Sequence, residues 1–97
     1  MLTGKQKRFL RAKAHHLKPI FQVGKGGVNE NMIKQIVDAL EARELIKVSV
    51  LQNCEEDRHV VAGQLAQGAE AELVQVIGNT IVLYKESKEN KQIVLPS

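Results

Sequence analysis

Ile20-Phe21-Gln22-Val23-Gly24-Lys25-Gly26-Gly27-Val28-Asn29 is the stretch on which the reading of this chain turns. Pro19, just before it, lacks an N–H and biases its predecessor towards extended geometry, so a helix arriving from the N-terminus stops there. Ile20 to Val23 then reads as a short strand, Gly24 to Gly27 as a loop, and Asn29 as the cap of a helix reaching Arg43. Met32, Ile33, Ile36, Val37 and Leu40 recur along that helix with the helical period. A strand feeding a helix through a glycine turn is the start of an α/β domain.

Upstream, Thr3 with Gln6 matches a capping box, and a first helix is expected from Gly4 to His16, with Phe9, Leu10 and Leu17 sharing one face. Downstream, Leu45 to Val50 reads as a half-buried strand with Ile46, Val48 and Val50 on one side and Lys47 and Ser49 on the other. Asn53 or Asp57 caps a third helix ending near Gly68, with Val61 and Leu65 inward and Ala62, Ala66 and Ala69 permitting close approach of a neighbour. Leu73 to Ile77 and Thr80 to Tyr84, joined by Gly78-Asn79, form a hairpin with glycine where a type II′ turn needs it. The order α-β-α-β-α-β-β predicts a two-layer single domain around a mixed four-stranded sheet. Residues 86–97 are expected to be a polar, largely mobile tail in which Ile93, Val94 and Leu95 add at most an edge contact.

At 97 residues the chain is the size of one domain, and 43% hydrophobic with 26% charged residues is a globular composition. A single cysteine, Cys54, precludes an intrachain disulfide or a Cys-rich zinc site and suits a reducing cytoplasm. No apolar run of membrane-spanning or signal-peptide length is present, so neither membrane insertion nor export is expected. The net charge of +3 is unevenly spread. Residues 1–34 hold eight Lys or Arg against the single acid Glu30, and the remainder holds six against ten acids. Such asymmetry suggests a face made for a polyanion, although a solvated basic helix has the same composition.

The loop chemistry agrees with the charge. Exposed N–H groups between a strand end and a helix start favour an anion, absent β-carbons allow a phosphate to approach, and Lys25 supplies a mobile positive charge. A Walker A loop needs Ser or Thr after Gly-Lys, where Gly26 stands here. A dinucleotide fingerprint needs its third glycine at position 29, which is asparagine. What remains is the G-x-x-G form with which KH domains clamp a nucleic-acid backbone, a form that by itself also serves as a plain structural turn.

Leu10-Arg11-Ala12-Lys13-Ala14-His15-His16-Leu17-Lys18-Pro19, then Val23 to Gly27, then Gly78-Asn79-Thr80-Ile81-Val82-Leu83-Tyr84-Lys85 resemble, in order and separation, the pattern of the CRM (chloroplast RNA splicing and ribosome maturation) domain, most of all its stand-alone YhbY-like bacterial branch. The resemblance covers residues 1–85, taken as a CRM-like RNA-binding domain. It implies a fold similar to the C-terminal domain of translation initiation factor three, an RNA-contacting G-x-x-G loop, and association with ribosomal RNA in precursors of the large ribosomal subunit. The RNA-binding set expected on this basis is Gly24, Lys25, Gly26 and Gly27 with Lys5, Arg8, Arg11 and Lys18.

No catalytic residue, cofactor or metal is expected. His15 and His16, adjacent on a helix, diverge by about 100° and do not form a ligand pair. Cys54 precedes Glu55, Glu56 and Asp57, acids that would disfavour a thiolate if close to it in space, so a nucleophilic cysteine is not expected. Phe9, Phe21 and Tyr84 are too few for the base-stacking sheet of an RRM, and Phe9 and Phe21 are expected in the core. The competing reading is a protein-interaction module whose basic helix docks an acidic partner while the glycine loop serves only as a turn.

Overall fold

The computed structural model describes residues 2–97; Met1, the first residue of the expected 1–85 domain, lies outside them. Thr3 and Gln6 close the capping box that starts α1 (Gly4–Ala14). α1 ends two residues before the expected His16, because the chain turns at His15 to run across the sheet towards Pro19. β1 (Phe21–Val23) follows, entered by the Ile20 N–H donating to the Lys47 carbonyl. α2 (Glu30–Arg43) begins at Asn29, whose Oδ1 accepts the Met32 N–H at 2.8 Å. β2 (Leu45–Val50) comes next. Asp57, not Asn53, caps α3 (Arg58–Ala69), accepting the His59 N–H at 2.7 Å. β3 (Glu72–Ile77) and β4 (Thr80–Tyr84) form the expected hairpin, with Gly78 at φ +56 as a primed turn requires.

The sheet order is β1-β2-β4-β3, with β1 parallel to β2 and the other pairs antiparallel. A bulge between Leu73 and Gln75 shifts the register of the β3–β4 pair. α2 and α3 cover one face, burying Ile36, Leu40, Val61 and Leu65 against Val23, Ile46, Val48, Ile81 and Leu83. Gly68 sets how closely those helices meet: a Cβ there would lie 2.7 Å from Ile33 Cδ1.

The other face is not bare. Leu10 and Ala14 of α1 pack with Leu45, Val74, Val82 and Tyr84 in a second core cluster, so the expected two layers gain a third, partial one. The alternation of strand side chains explains it: Leu45, Val82 and Tyr84 point away from α2 and α3 and are apolar. The expected mobile tail is part of this layer. Ile93 and Leu95 pack on the second cluster, and the Pro96 carbonyl accepts from Gln6 Nε2.

What holds the tail is Glu44, fully buried at the end of α2 with φ +67. Its carboxylate accepts the backbone N–H groups of Ser87, Gln92 and Ile93 at 2.8, 2.6 and 2.8 Å. Burial pushes its pKa up, but the three donors outweigh this and leave it below the ordinary carboxyl value. Glu41, one turn earlier, accepts from the Lys88 and Glu89 N–H groups and the Ser87 hydroxyl. Tyr84, buried beneath, has a hydroxyl without a protein partner, and burial, then the Glu44 and Glu86 carboxylates, raise its pKa. It belongs to the core and offers no ring for stacking.

Candidate nucleic-acid interface

The glycine loop leaves the carboxyl end of β1, beside the carboxyl end of its parallel neighbour β2, the end of an α/β sheet at which ligands ordinarily gather. Gly27 N–H donates to the Gly24 carbonyl at 3.0 Å, closing a turn whose tip is Lys25-Gly26. Only Gly27 uses glycine's conformational freedom, at φ +68. Gly26 has nothing within 4 Å of where a Cβ would sit, and both Gly26 and Lys25 are exposed. A phosphate therefore has clear access to the turn and to a charged side chain beside it.

Gly24 plays a different part. A Cβ on it would come to 3.4 Å from Asn53 Oδ1 and 3.6 Å from Leu51 Cδ1, so the β2–α3 loop rests against the glycine turn. The Leu51 N–H donates to the Val23 carbonyl, continuing the β1–β2 pairing into that contact. Asn53 thus has an exposed amide beside the turn, a position that sequence reading, which weighed it only as a helix cap, did not give it. The same loop carries Glu55, Glu56 and Asp57, and Glu30 opens α2; these carboxylates bound the site on the helical face of the sheet.

The expected cations do not form a single cluster with the loop. The N-terminal end of α1 lies at β3, where the Leu2 N–H meets the Glu72 carboxylate. Its C-terminal end lies near Leu45, where Lys13 and Leu17 line a cleft with Arg43. Lys5 and Arg8 are therefore at the sheet edge opposite β1, about 14 Å away for three strand spacings, with the Arg8 guanidinium folded over Gly4. Arg11 lies towards the β2 end of α1, Lys18 precedes the start of β1 and so stands at the opposite end of that strand from the glycine turn, and all four are exposed. Lys13 lies over the Phe9 ring on the flank of α1 that carries the tail. Around the helix from Leu10, Lys7 and Arg11 fall about 60° and 100° to the opposite flank. Phe9 and Phe21, expected in the core, are half-buried and pack against its margins.

No group of three or more His, Cys, Asp or Glu able to hold a metal occurs among the described residues, and His15 and His16 are exposed with their rings edge to face. No helix among them is long and apolar enough to cross a membrane.

A glycine turn thus stands at the carboxyl edge of a mixed four-stranded sheet, with a basic helix on the sheet's second face. Residues 2–85 match the CRS1/YhbY (CRM) domain, and the chain belongs to that family. It is 81% identical over 96 residues to YqeI of Bacillus subtilis, whose name describes it as a probable RNA-binding protein, covering 99% of this chain and 100% of that one. A Haemophilus influenzae protein named as RNA-binding is 40% identical over 95 residues, covering 98% and 95% of the two chains. The solution structure of protein SAV1595 from Staphylococcus aureus superposes with a TM-score of 0.82 at 66% identity, covering 99% of this chain and 100% of that one.

Proposed function

We propose that this protein binds RNA without catalysing a reaction, and that its target is ribosomal RNA in precursors of the large ribosomal subunit, where it acts as an assembly factor in the bacterial cytoplasm. The observation that carries the RNA-binding reading is the glycine turn, open at Gly26 and tipped by Lys25, at the carboxyl end of the parallel pair. Names of relatives from two bacteria describe RNA binding, which supports the same reading. In it, Gly24 and Gly27 shape the turn, the N–H groups around Gly26 meet a backbone phosphate, and Arg11, Lys18, Arg8 and Lys5 extend the positive surface across the sheet. Residues 1–85 supply the binding, and the tail from 86 to 97 braces α1. The ribosomal target rests on the family resemblance.

Titration of the protein against structured ribosomal RNA over a range of salt tests this reading. Neutralising about five phosphates on single-stranded regions gives a log–log slope near −3.5. A flat salt response, or displacement of the RNA by an acidic protein at equal concentration, would favour a protein-docking role for the basic helix.

A further inference from the structure

Leu45, Val82, Tyr84 and Val74, on which α1 rests, occupy the half of the sheet's second face towards the start of β2. The other half has no cover. Gln22, Ser49, Thr80 and Ile77 are in register across β1, β2, β4 and β3, forming one continuous row. Gln22 is exposed, Ser49 and Thr80 are half-exposed, and Ile77 keeps 57% of its surface in water. The row ends at β1 one residue before Val23, which leads into the glycine turn. Lys47 sits on the same face between this row and α1, half-buried.

Lys47 is the informative residue. Among the described residues the ion pair formed is between Lys91 and Glu86, so the Lys47 ammonium has no carboxylate within 4.0 Å. On an edge strand a lysine discourages unwanted strand pairing, but β2 lies between β1 and β4, and that explanation is not open to it. No acid stands in the row, and the flank of α1 turned towards it carries Lys7 and Arg11. From β1 to β4 the strip is thus a polar floor of hydroxyls and an amide, ending at the apolar Ile77 on β3, with cations along one side, joining the glycine turn to the basic helix across the distance that separates them.

We propose that this strip is an RNA-binding surface, along which the sugar–phosphate backbone held at the glycine turn continues towards α1, with Lys47 pairing a phosphate and Ser49, Thr80 and Gln22 offering hydrogen bonds to ribose and phosphate oxygens. The inference rests on the RNA-binding reading above and deepens it by naming the path. The groove between α2 and α3 is the other route out of the turn, but there Glu30 stands beside Lys34 and the two charges offset, so it lacks the net charge that favours a polyanion.

The test uses the full chain and a ribosomal RNA hairpin with a single-stranded flank. Lys47→Met keeps the apolar stem and removes the charge; it should weaken binding about fivefold at 0.1 M salt and reduce the salt slope by about 0.7. Gln22→Glu, on an exposed edge position, should weaken binding by at least as much, and it keeps the test decisive if Lys47→Met folds poorly. Lys88→Met, the same charge change on the exposed tail, should leave affinity unchanged. Wild-type affinity in both folded strip variants, alongside lost binding in Gly26→Asp, would overturn the strip and leave the loop reading standing. Loss in the strip variants with Gly26→Asp unaffected would support the strip and overturn the loop assignment.

Discussion

Replacing Glu44 by alanine should release the C-terminal tail and lower global stability together. Its carboxylate accepts three backbone N–H groups of the tail from within the fold, and a hydrogen bond to a charged group is worth about 1.5 to 3 kcal/mol. The three do not add, because a tail that undocks returns its N–H groups to water; the loss is limited to what docking itself contributes. That is about 2 to 4 kcal/mol, combining one or two net charged hydrogen bonds with the partial burial of Ile93 and Leu95. For a domain of this size each kcal/mol moves the melting temperature by about 4 to 8 °C, so thermal unfolding followed by circular dichroism should show a fall of roughly 8 to 32 °C. Hydrogen exchange at Ser87, Gln92 and Ile93 should accelerate in the same variant. Glu44→Gly separates the carboxylate from the backbone, since glycine relieves the positive φ while still removing the acceptors. A melting temperature within 2 °C or so of wild type for Glu44→Ala, with unchanged exchange in the tail, would refute the latch.

Acid should act on the same latch: Glu41 and Glu44 both have pKa values lowered from the ordinary 4.5. Their contribution is therefore complete above that value and is lost as pH falls through the lower folded values, so exchange in residues 87–93 should rise in that range, before global unfolding. Leu10→Ala, at a fully buried position in the second cluster, should cost about 2 to 5 kcal/mol in a urea titration. Cys54→Ser should leave RNA affinity unchanged and stability within about 1 kcal/mol, because the half-exposed thiol makes one long contact with the Glu56 carbonyl, at 3.7 Å.

Where local chemistry decides structure, the sequence is legible: the Thr3–Gln6 box, the Asn29 cap, the Gly78 turn and the alternation in β2 all stand where residue type places them. The second layer was hidden because its signal is split between Leu10 and Ala14 on one element and Leu45, Val82 and Tyr84 on strands that pair from distant parts of the chain. The tail looked mobile because its anchors are backbone N–H groups, which every sequence has, and the decisive partner is a carboxylate more than 40 residues earlier. At the interface, the G-x-x-G spacing marked the turn, whereas Asn53 and Lys47 became visible only through the pairing that puts one against Gly24 and the other on an uncovered face.

The central claim, that the glycine turn holds an RNA backbone, is tested most directly by the affinity of Gly26→Asp for a ribosomal RNA hairpin. The side chain has open space, and Gly26 does not occupy the left-handed region, so the variant should fold as the wild type does. A carboxylate about 4 Å from a phosphate costs about 1 kcal/mol in bulk water and about 4 kcal/mol at the effective dielectric of a protein surface. Binding should weaken between roughly fivefold and several hundredfold, and by more than in Lys25→Ala, which removes one charge and leaves the turn's N–H groups in place. Wild-type affinity in folded Gly26→Asp would contradict the account and reduce the loop to a structural turn.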